Sequence, residues 1–399
     1  MENVAQKTKQ VGNVATMRMK NMLSIMTGNE NMVRNIIIFI IVIIIVGISL
    51  YVSGKMNYEK TKCDDLTTIY DDIGKVSSIN PTADGFKDYG LRDFYIKTAY
   101  NCCALGNFKN TFVSTCALEQ VIRQGVRCLD FEIYSVNNKP VIAVSSLSSY
   151  DIKESYNSVD FGKAMNIIND KAFSTQYCPN ANDPLILHFR MKSSRPELYK
   201  DMSNIIYKTL ESRLLGSEYS YEFHGHNLGN VKLSDLYSYS NKGDKKTLGS
   251  GKVIIVIDKS NDMFQTTELD EYVNLASNSV FMRALTNYDV KFTPDFSELI
   301  DFNKKNMTLS MPDLSVRNAN VPASLHMKYG CQMVGMCYQN YDNNLEFYES
   351  FFAENGHAFV LKPENLRYVL VTIPAPTTQD PKLSYANRPV KSDYYSFNI

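Results

Sequence analysis

The sequence predicts an α/β protein: a β/α barrel preceded by one transmembrane helix. Two observations predict the barrel. Short apolar runs alternate with longer helical patterns from residue 90 to residue 368, and this stretch shows neither internal repeats nor low-complexity segments. Strand–helix alternation over that length is what a single parallel barrel requires. A third observation predicts the anchor, which is the uncharged run IIIFIIVIIIVGISLYV at 36–52.

A helix of that length reaches roughly 25 Å, just short of a hydrocarbon core roughly 30 Å thick. Met32 and Val33 extend it. A cleavable signal peptide fits less well, because the run is long, begins late and has no small-residue cleavage pattern behind it. A buried core helix would need an amphipathic break that the run lacks. The expectation is a single-pass anchor, 36–53, that binds the chain to a lipid membrane. Lys7, Lys9, Arg18, Lys20 and Arg34 outnumber Glu2 and Glu30 in the basic segment 1–35. This predicts a cytoplasmic N-terminus and a translocated body, although Lys55, Lys60 and Lys62 beyond the run weigh against it.

Within the body, strands are expected at 94–99, 126–133, 140–144, 184–189, 253–257, 279–285, 329–336 and 357–361. Helices are expected at 115–124, 161–173, 197–215, 296–303 and 345–354. The third carries apolar residues at helical spacing behind Pro196, which suits a first turn. The stretch PLILHFRMK at 184–192 ends with His188 and Arg190, two residues apart and therefore on one strand face. Asp130 and Glu132 in LDFE share a face for the same reason.

Lys plus Arg total 42, as do Asp plus Glu, so no global charge points to nucleic acid. Eight cysteines include no CxxC pair, which argues against zinc. Disulfides are compatible with a translocated body, but the spacing selects no pairing. Asn306-Met307-Thr308 forms a glycosylation sequon.

Two segments carry a family signature. STCALEQVIRQGVRCLDFEIY at 114–134, with NKPVIAVSS behind it and DPLILHFRMKSS further on, resembles the X-box of phosphoinositide-specific phospholipase C. YGCQMVGMCYQNYDNNLEFYESFFAENGHAFVLKPENLR at 329–367 resembles the Y-box of the eukaryotic enzymes, with echoes in GKVIIVID, TELDEYV and NKKNMTLSMP. The resemblance implies a distorted (β/α)8 TIM barrel of the phospholipase C-like phosphodiesterase type, with its site at the C-terminal strand ends. It divides the body into a juxtamembrane linker 54–89, an X-box-like half 90–258, a short linker 259–266, a Y-box-like half 267–368 and a tail 369–399.

In that family one histidine acts as general base and a second as general acid, around a calcium ion held by Asn, acidic residues and Glu. Carried onto this chain, the first histidine position holds Tyr100, beside a retained Asn101. A phenol with a pKa near ~10 is a poor base at neutral pH. The second falls on Val144, which transfers no proton. The calcium set falls on Asn101, Asp130, Glu132 and Arg190, and a guanidinium repels calcium while forking well onto Asp130 or Glu132. Substrate-gripping positions fall on Val256, Asp258, Leu309 and Met311.

The reading is therefore a catalytically inactive relative without a calcium cofactor. It would serve as a binding or structural module at a membrane, with a phosphoinositide or a protein as partner. The alternative is a live phosphodiesterase with a rearranged site built on His188, Arg190, Asp130 and Glu132. For His188 a barrel-interior hydrogen-bonding role ranks ahead of relocated acid–base work. His224 and His226 have strand-like metal spacing but no evident third ligand, and His326 and His357 fall outside the matched motifs. Cys102 and Cys103 read as small apolar fillers, with a reactive thiol as the alternative.

Overall fold

The computed structural model describes residues 16–399 apart from 19, 22–23, 25–29, 222–226, 243–244, 318, 370–375, 377, 379, 381–382 and 384. Most of the basic segment 1–35 and the pair His224 and His226 lie outside the described residues.

The first long element, α1 (Glu30–Ile69), is a single 40-residue helix, so the helix runs well beyond the apolar run. It contains a span long and apolar enough to cross a membrane, and the side chains of that span are exposed. Its last turns behave differently, because Leu66 and the following Tyr70 are buried against the body.

Eight parallel strands form a nearly closed barrel. In chain order they are β1 (Phe94–Ala99), β2 (Cys128–Val136), β5 (Leu185–Met191), β8 (Val253–Asp258), β9 (Leu275–Ser277), β10 (Met282–Thr286), β11 (Met307–Met311) and β12 (Met333–Met336). The hydrogen-bonded order is β10-β11-β12-β1-β2-β5-β8-β9. Between them lie β3 (Lys139–Ala143), β4 (Val159–Asp160) and the two-stranded β6 (Tyr237–Lys242) and β7 (Lys245–Gly251). The helices are α2 (Thr115–Arg123), α3 (Phe161–Lys171), α4 (Pro196–Leu210), α5 (Asn287–Lys291), α6 (Phe296–Lys305), α7 (Ala323–Lys328) and α8 (Asn343–Asn355), followed by β13 (Phe359–Leu361).

Two expected barrel strands take other roles. The run at 140–144 is β3, which pairs antiparallel with β2 as a hairpin arm, and 357–361 yields β13, antiparallel to β1. Their places are taken by β9 and β11. Three residues, LAS, make β9, too short to give a pattern, and β11 alternates as MTLSM without a continuous apolar run. Elsewhere the expected strands and helices fall where the sequence puts them, with ends displaced by a few residues.

Period-two alternation sorts each barrel strand into an inner and an outer face. Phe94, Ile96, Cys128, Ile186, Ile254, Leu309 and Met333 pack together as the barrel's lower interior. The outer faces pack with the helices in the larger cluster that includes Leu118, Leu129, Leu187, Ile255, Met202 and Tyr348. The outward-facing Lys97 is a buried charge: 1% exposed, it donates to Glu349 of α8 at 2.7 Å and to the Gln124 carbonyl at 2.7 Å. This ion pair ties the first barrel strand to the last helix.

Candidate functional site

The inner faces of β2 and β5 turn polar toward their C-terminal ends. The parallel register sets Asp130 opposite His188 and Glu132 opposite Arg190, so the two same-face pairs meet inside the barrel. All four are buried, with Arg190 the most exposed at 5%.

Arg190 is the hub. Its Nη1 donates to Glu132 Oε1 at 2.6 Å, its Nη2 to Asp130 Oδ2 at 2.8 Å and to Asn101 Oδ1 at 2.8 Å, and its Nε to Asp130 Oδ1 at 3.0 Å. The Tyr100 ring covers the guanidinium, with the ring centroid 4.4 Å from Cζ, a cation–π placement. Asn101 reaches its place through a left-handed backbone, φ 49°, which asparagine tolerates better than most residues. Its amide N–H donates to Asp130 Oδ2 at 3.1 Å. Glu132 is satisfied further by Tyr134 Oη at 2.8 Å and the Ser145 amide at 3.1 Å.

His188 completes a second chain. Its Nδ1 lies 2.7 Å from Asp130 Oδ1. Because a carboxylate only accepts, that nitrogen carries a proton. Its Nε2 lies 2.9 Å from Ser277 Oγ at the end of β9. Asp, His and Ser thus stand in a relay, but Asp130, His188 and Ser277 are each fully buried.

The electrostatics follow from this packing. Burial by itself would raise the Asp130 carboxyl, but Arg190 and the His188 hydrogen bond outweigh it and hold it well below the usual carboxylate range. Burial likewise opposes the Arg190 charge, yet Asp130, Tyr100 and Glu132 push its pKa well above the ordinary arginine value. Burial is the main reason that the Tyr100 phenol titrates far above the usual value, which leaves it protonated at neutral pH.

The cation slot does not suit calcium. Asn101, Asp130 and Glu132 all direct oxygens at a guanidinium that donates to each of them, so a metal would have to displace a fixed positive charge. Among the described residues no group of three or more His, Cys, Asp or Glu side chains is placed to hold a metal ion.

Val144 is buried just past β3, and its carbonyl accepts from the Glu154 and Ser155 amides. Val256 and Leu309 are buried in the lower interior. Met311 is partly buried, and Asp258 bonds Ser260 and Asn278 near the rim. The cavity against Tyr100, Asn101 and Cys102 measures about 10 Å³, which leaves room for no more than one water. Cys102 and Cys103 are buried; burial raises both thiols, the second to about 12, so neither is a thiolate at neutral pH. His326 bonds Asn287 and His357 bonds the Ser77 carbonyl, each away from the cluster. Sequence reasoning missed Ser277, which lies on a three-residue strand without a pattern. It also missed Tyr134, although the alternation in LDFEIY places Asp130, Glu132 and Tyr134 on one face.

One prediction arises from the buried acids. The depressed Asp130 carboxyl contributes stability that is present above the unfolded carboxylate value of ~4 and is lost as pH falls toward its folded value. Asp183 at the barrel floor has the opposite sign. Burial raises it to about 6, despite Arg127, so ionising it costs stability between about pH 4 and about pH 6. The parent chain is expected to lose thermal stability relative to Asp183→Asn as pH rises through that window. Parallel melting curves for the two chains across it would disprove this.

A parallel β/α barrel with a polar cluster at the C-terminal strand ends is the architecture of the barrel enzymes at large. Residues 88–237 match the phosphatidylinositol-specific phospholipase C X domain, and residues 259–365 match the Y domain of the same enzymes. The chain belongs to the phosphatidylinositol-specific phospholipase C family. Its fold is similar to that of PLC21 from S. officinalis, at TM-score 0.53 and 17% identity over 70% of this chain and 38% of that one. PLC21 from L. pealei is similar at TM-score 0.52 and 17% identity, with the same coverage. The chain thus spans well under half the length of those enzymes. No curated protein matches it.

Proposed function

We propose that this chain is a membrane-anchored phospholipase C-like barrel without phosphoinositide turnover, which acts as a binding or structural module at a membrane surface. The observation that carries the reading is the Arg190 hub. A guanidinium bonded to Asn101, Asp130 and Glu132 holds the calcium slot, and Tyr100 caps it where a general base belongs. Tyr100, Asn101, Asp130, Glu132, Val144 and Arg190 are on this reading a vestigial site.

The anchor is the 36–53 part of α1, with residues 1–35 on the cytoplasmic side. The disulfide Cys63–Cys116 supports a body on the oxidising side, since such bonds persist there and not in a reducing cytosol. The X and Y matches support two half barrels, 90–258 and 267–368.

A second reading, a live phosphodiesterase with a rearranged site, draws on one observation, the Asp130–His188–Ser277 relay. Nucleophile, base and orienting acid stand at suitable distances. Full burial of all three, which keeps a phosphodiester from reaching them, argues against it.

The test uses the full chain in vesicles containing phosphatidylinositol and its phosphorylated forms, with calcium. No release of inositol phosphates above the protein-free blank is expected. Turnover that an Asp130→Asn substitution abolishes would overturn the proposal.

A further inference from the structure

The C-terminal turns of α1 do not dangle as a tether; they lie along α2 in parallel register. Cys63 is disulfide-bonded to Cys116, with Cα atoms 5.9 Å apart. One turn on, Gln120 Nε2 donates to Thr67 Oγ1 at 3.2 Å. At the far end Arg123 donates to the carbonyls of Tyr70 and Asp71, and Gln124 to that of Asp72. Each partner lies 52 or 53 residues further along the chain, so the two helices run in the same direction.

That register fixes which way the barrel faces. In a β/α barrel a helix starts at the C-terminal strand ends and runs back to the floor, and α2 does so between β1 and β2. A parallel α1 therefore enters from above the mouth. Its earlier turns agree with that direction, because they meet loops of that rim. Tyr58 packs on Phe112 with ring centroids 5.6 Å apart, and Lys55 Nζ stands 4.5 Å from the centroid of the Tyr156 ring. Lys55 lies three residues past the apolar run, a short step of roughly one helical turn.

Tyr51, Lys55, Tyr58 and Tyr156 thus gather one lysine and three tyrosines at the depth where the helix leaves hydrocarbon, which is the composition of a membrane interface. The same rim loop, 144–158, also exposes Leu147, Tyr150 and Ile152 at 44%, 41% and 51%.

We propose that α1 and the barrel form one rigid body, locked by Cys63–Cys116, which holds the barrel mouth against the headgroup layer of the bilayer that α1 crosses. The partner of the rim is the lipid surface itself. The inference rests on the reading of α1 as a membrane span.

The chain contains no tryptophan, so one introduced residue is a unique probe. Ile152→Trp marks the rim, and Lys232→Trp marks the floor, where Lys232 bridges Gly90 ahead of β1. Each full-length variant is reconstituted into vesicles with brominated lipids and floated. Quenching is expected to be several-fold stronger for Ile152→Trp than for Lys232→Trp. With Cys63→Ser and Cys116→Ser added, the protein is expected to float as before while rim quenching falls by at least half.

Equal quenching at rim and floor in floated, oxidised protein would overturn the orientation. Undiminished rim quenching without the disulfide would overturn the lock. Failure to float would sink the membrane-span reading itself, a separate outcome from either.

Discussion

Replacing Arg190 with methionine is expected to destabilise the full chain by about 3–5 kcal/mol, because removing one member of a buried ion cluster strands the others. Asp130 and Glu132 are both fully buried, and half of their compensating hydrogen bonds, four of eight, come from this one guanidinium. The remaining donors, His188 and the Asn101 amide for Asp130 and Tyr134 and the Ser145 amide for Glu132, leave two like charges facing each other. Thermal unfolding of the detergent-solubilised protein measures the loss as a drop of several degrees in Tm. Neutralising the stranded acids as well, with Asp130→Asn and Glu132→Gln, is expected to recover part of it. Calcium at millimolar concentration is expected to leave the Tm of the parent chain unmoved, since a bound cation would have to expel Arg190 first. A calcium-dependent rise in the parent chain would mean that the slot accepts a metal.

The second large effect lies outside the site. Glu349→Leu removes the carboxylate partner of Lys97 and leaves a 1%-exposed ammonium with the Gln124 carbonyl alone. Tyr338 Oη, which donates to Glu349 Oε1, loses its acceptor in the same step. A loss of about 3 kcal/mol is expected by the same reasoning as for Arg190. The double variant Lys97→Met with Glu349→Leu is expected to be much closer to the parent, because it removes both charges together and keeps the volume apolar. Additive losses in that cycle, read by thermal unfolding, would show that the two side chains do not act as a pair. The contrast matters for function. Both are buried ion clusters, yet one joins the first barrel strand to the last helix and the other lies at the C-terminal ends of β2 and β5.

The barrel was legible in the sequence because strand and helix periods alternate along it and because the X and Y motifs bracket it. β9 and β11 escaped notice for a physical reason. A three-residue strand such as LAS has no period to detect, and its pairing with β8 comes from neighbours rather than from its own residues. The reverse holds for 140–144 and 357–361, which have strand composition but pair antiparallel, a choice that local propensity does not encode.

Of the site, sequence spacing determined which side chains share a face: Asp130 with Glu132, and His188 with Arg190. That Tyr100 and Val144 fall on the family's two histidine positions is an expectation carried by the resemblance, not by spacing. Only the tertiary structure decided that β2 and β5 lie side by side in a register that closes the Arg190 hub, that Ser277 reaches His188, and that Cys63 selects Cys116 out of seven other cysteines. The division has one cause. Which way a residue points follows from the pitch of its own strand, whereas which residue it meets depends on segments tens of positions away that only the closed barrel brings together.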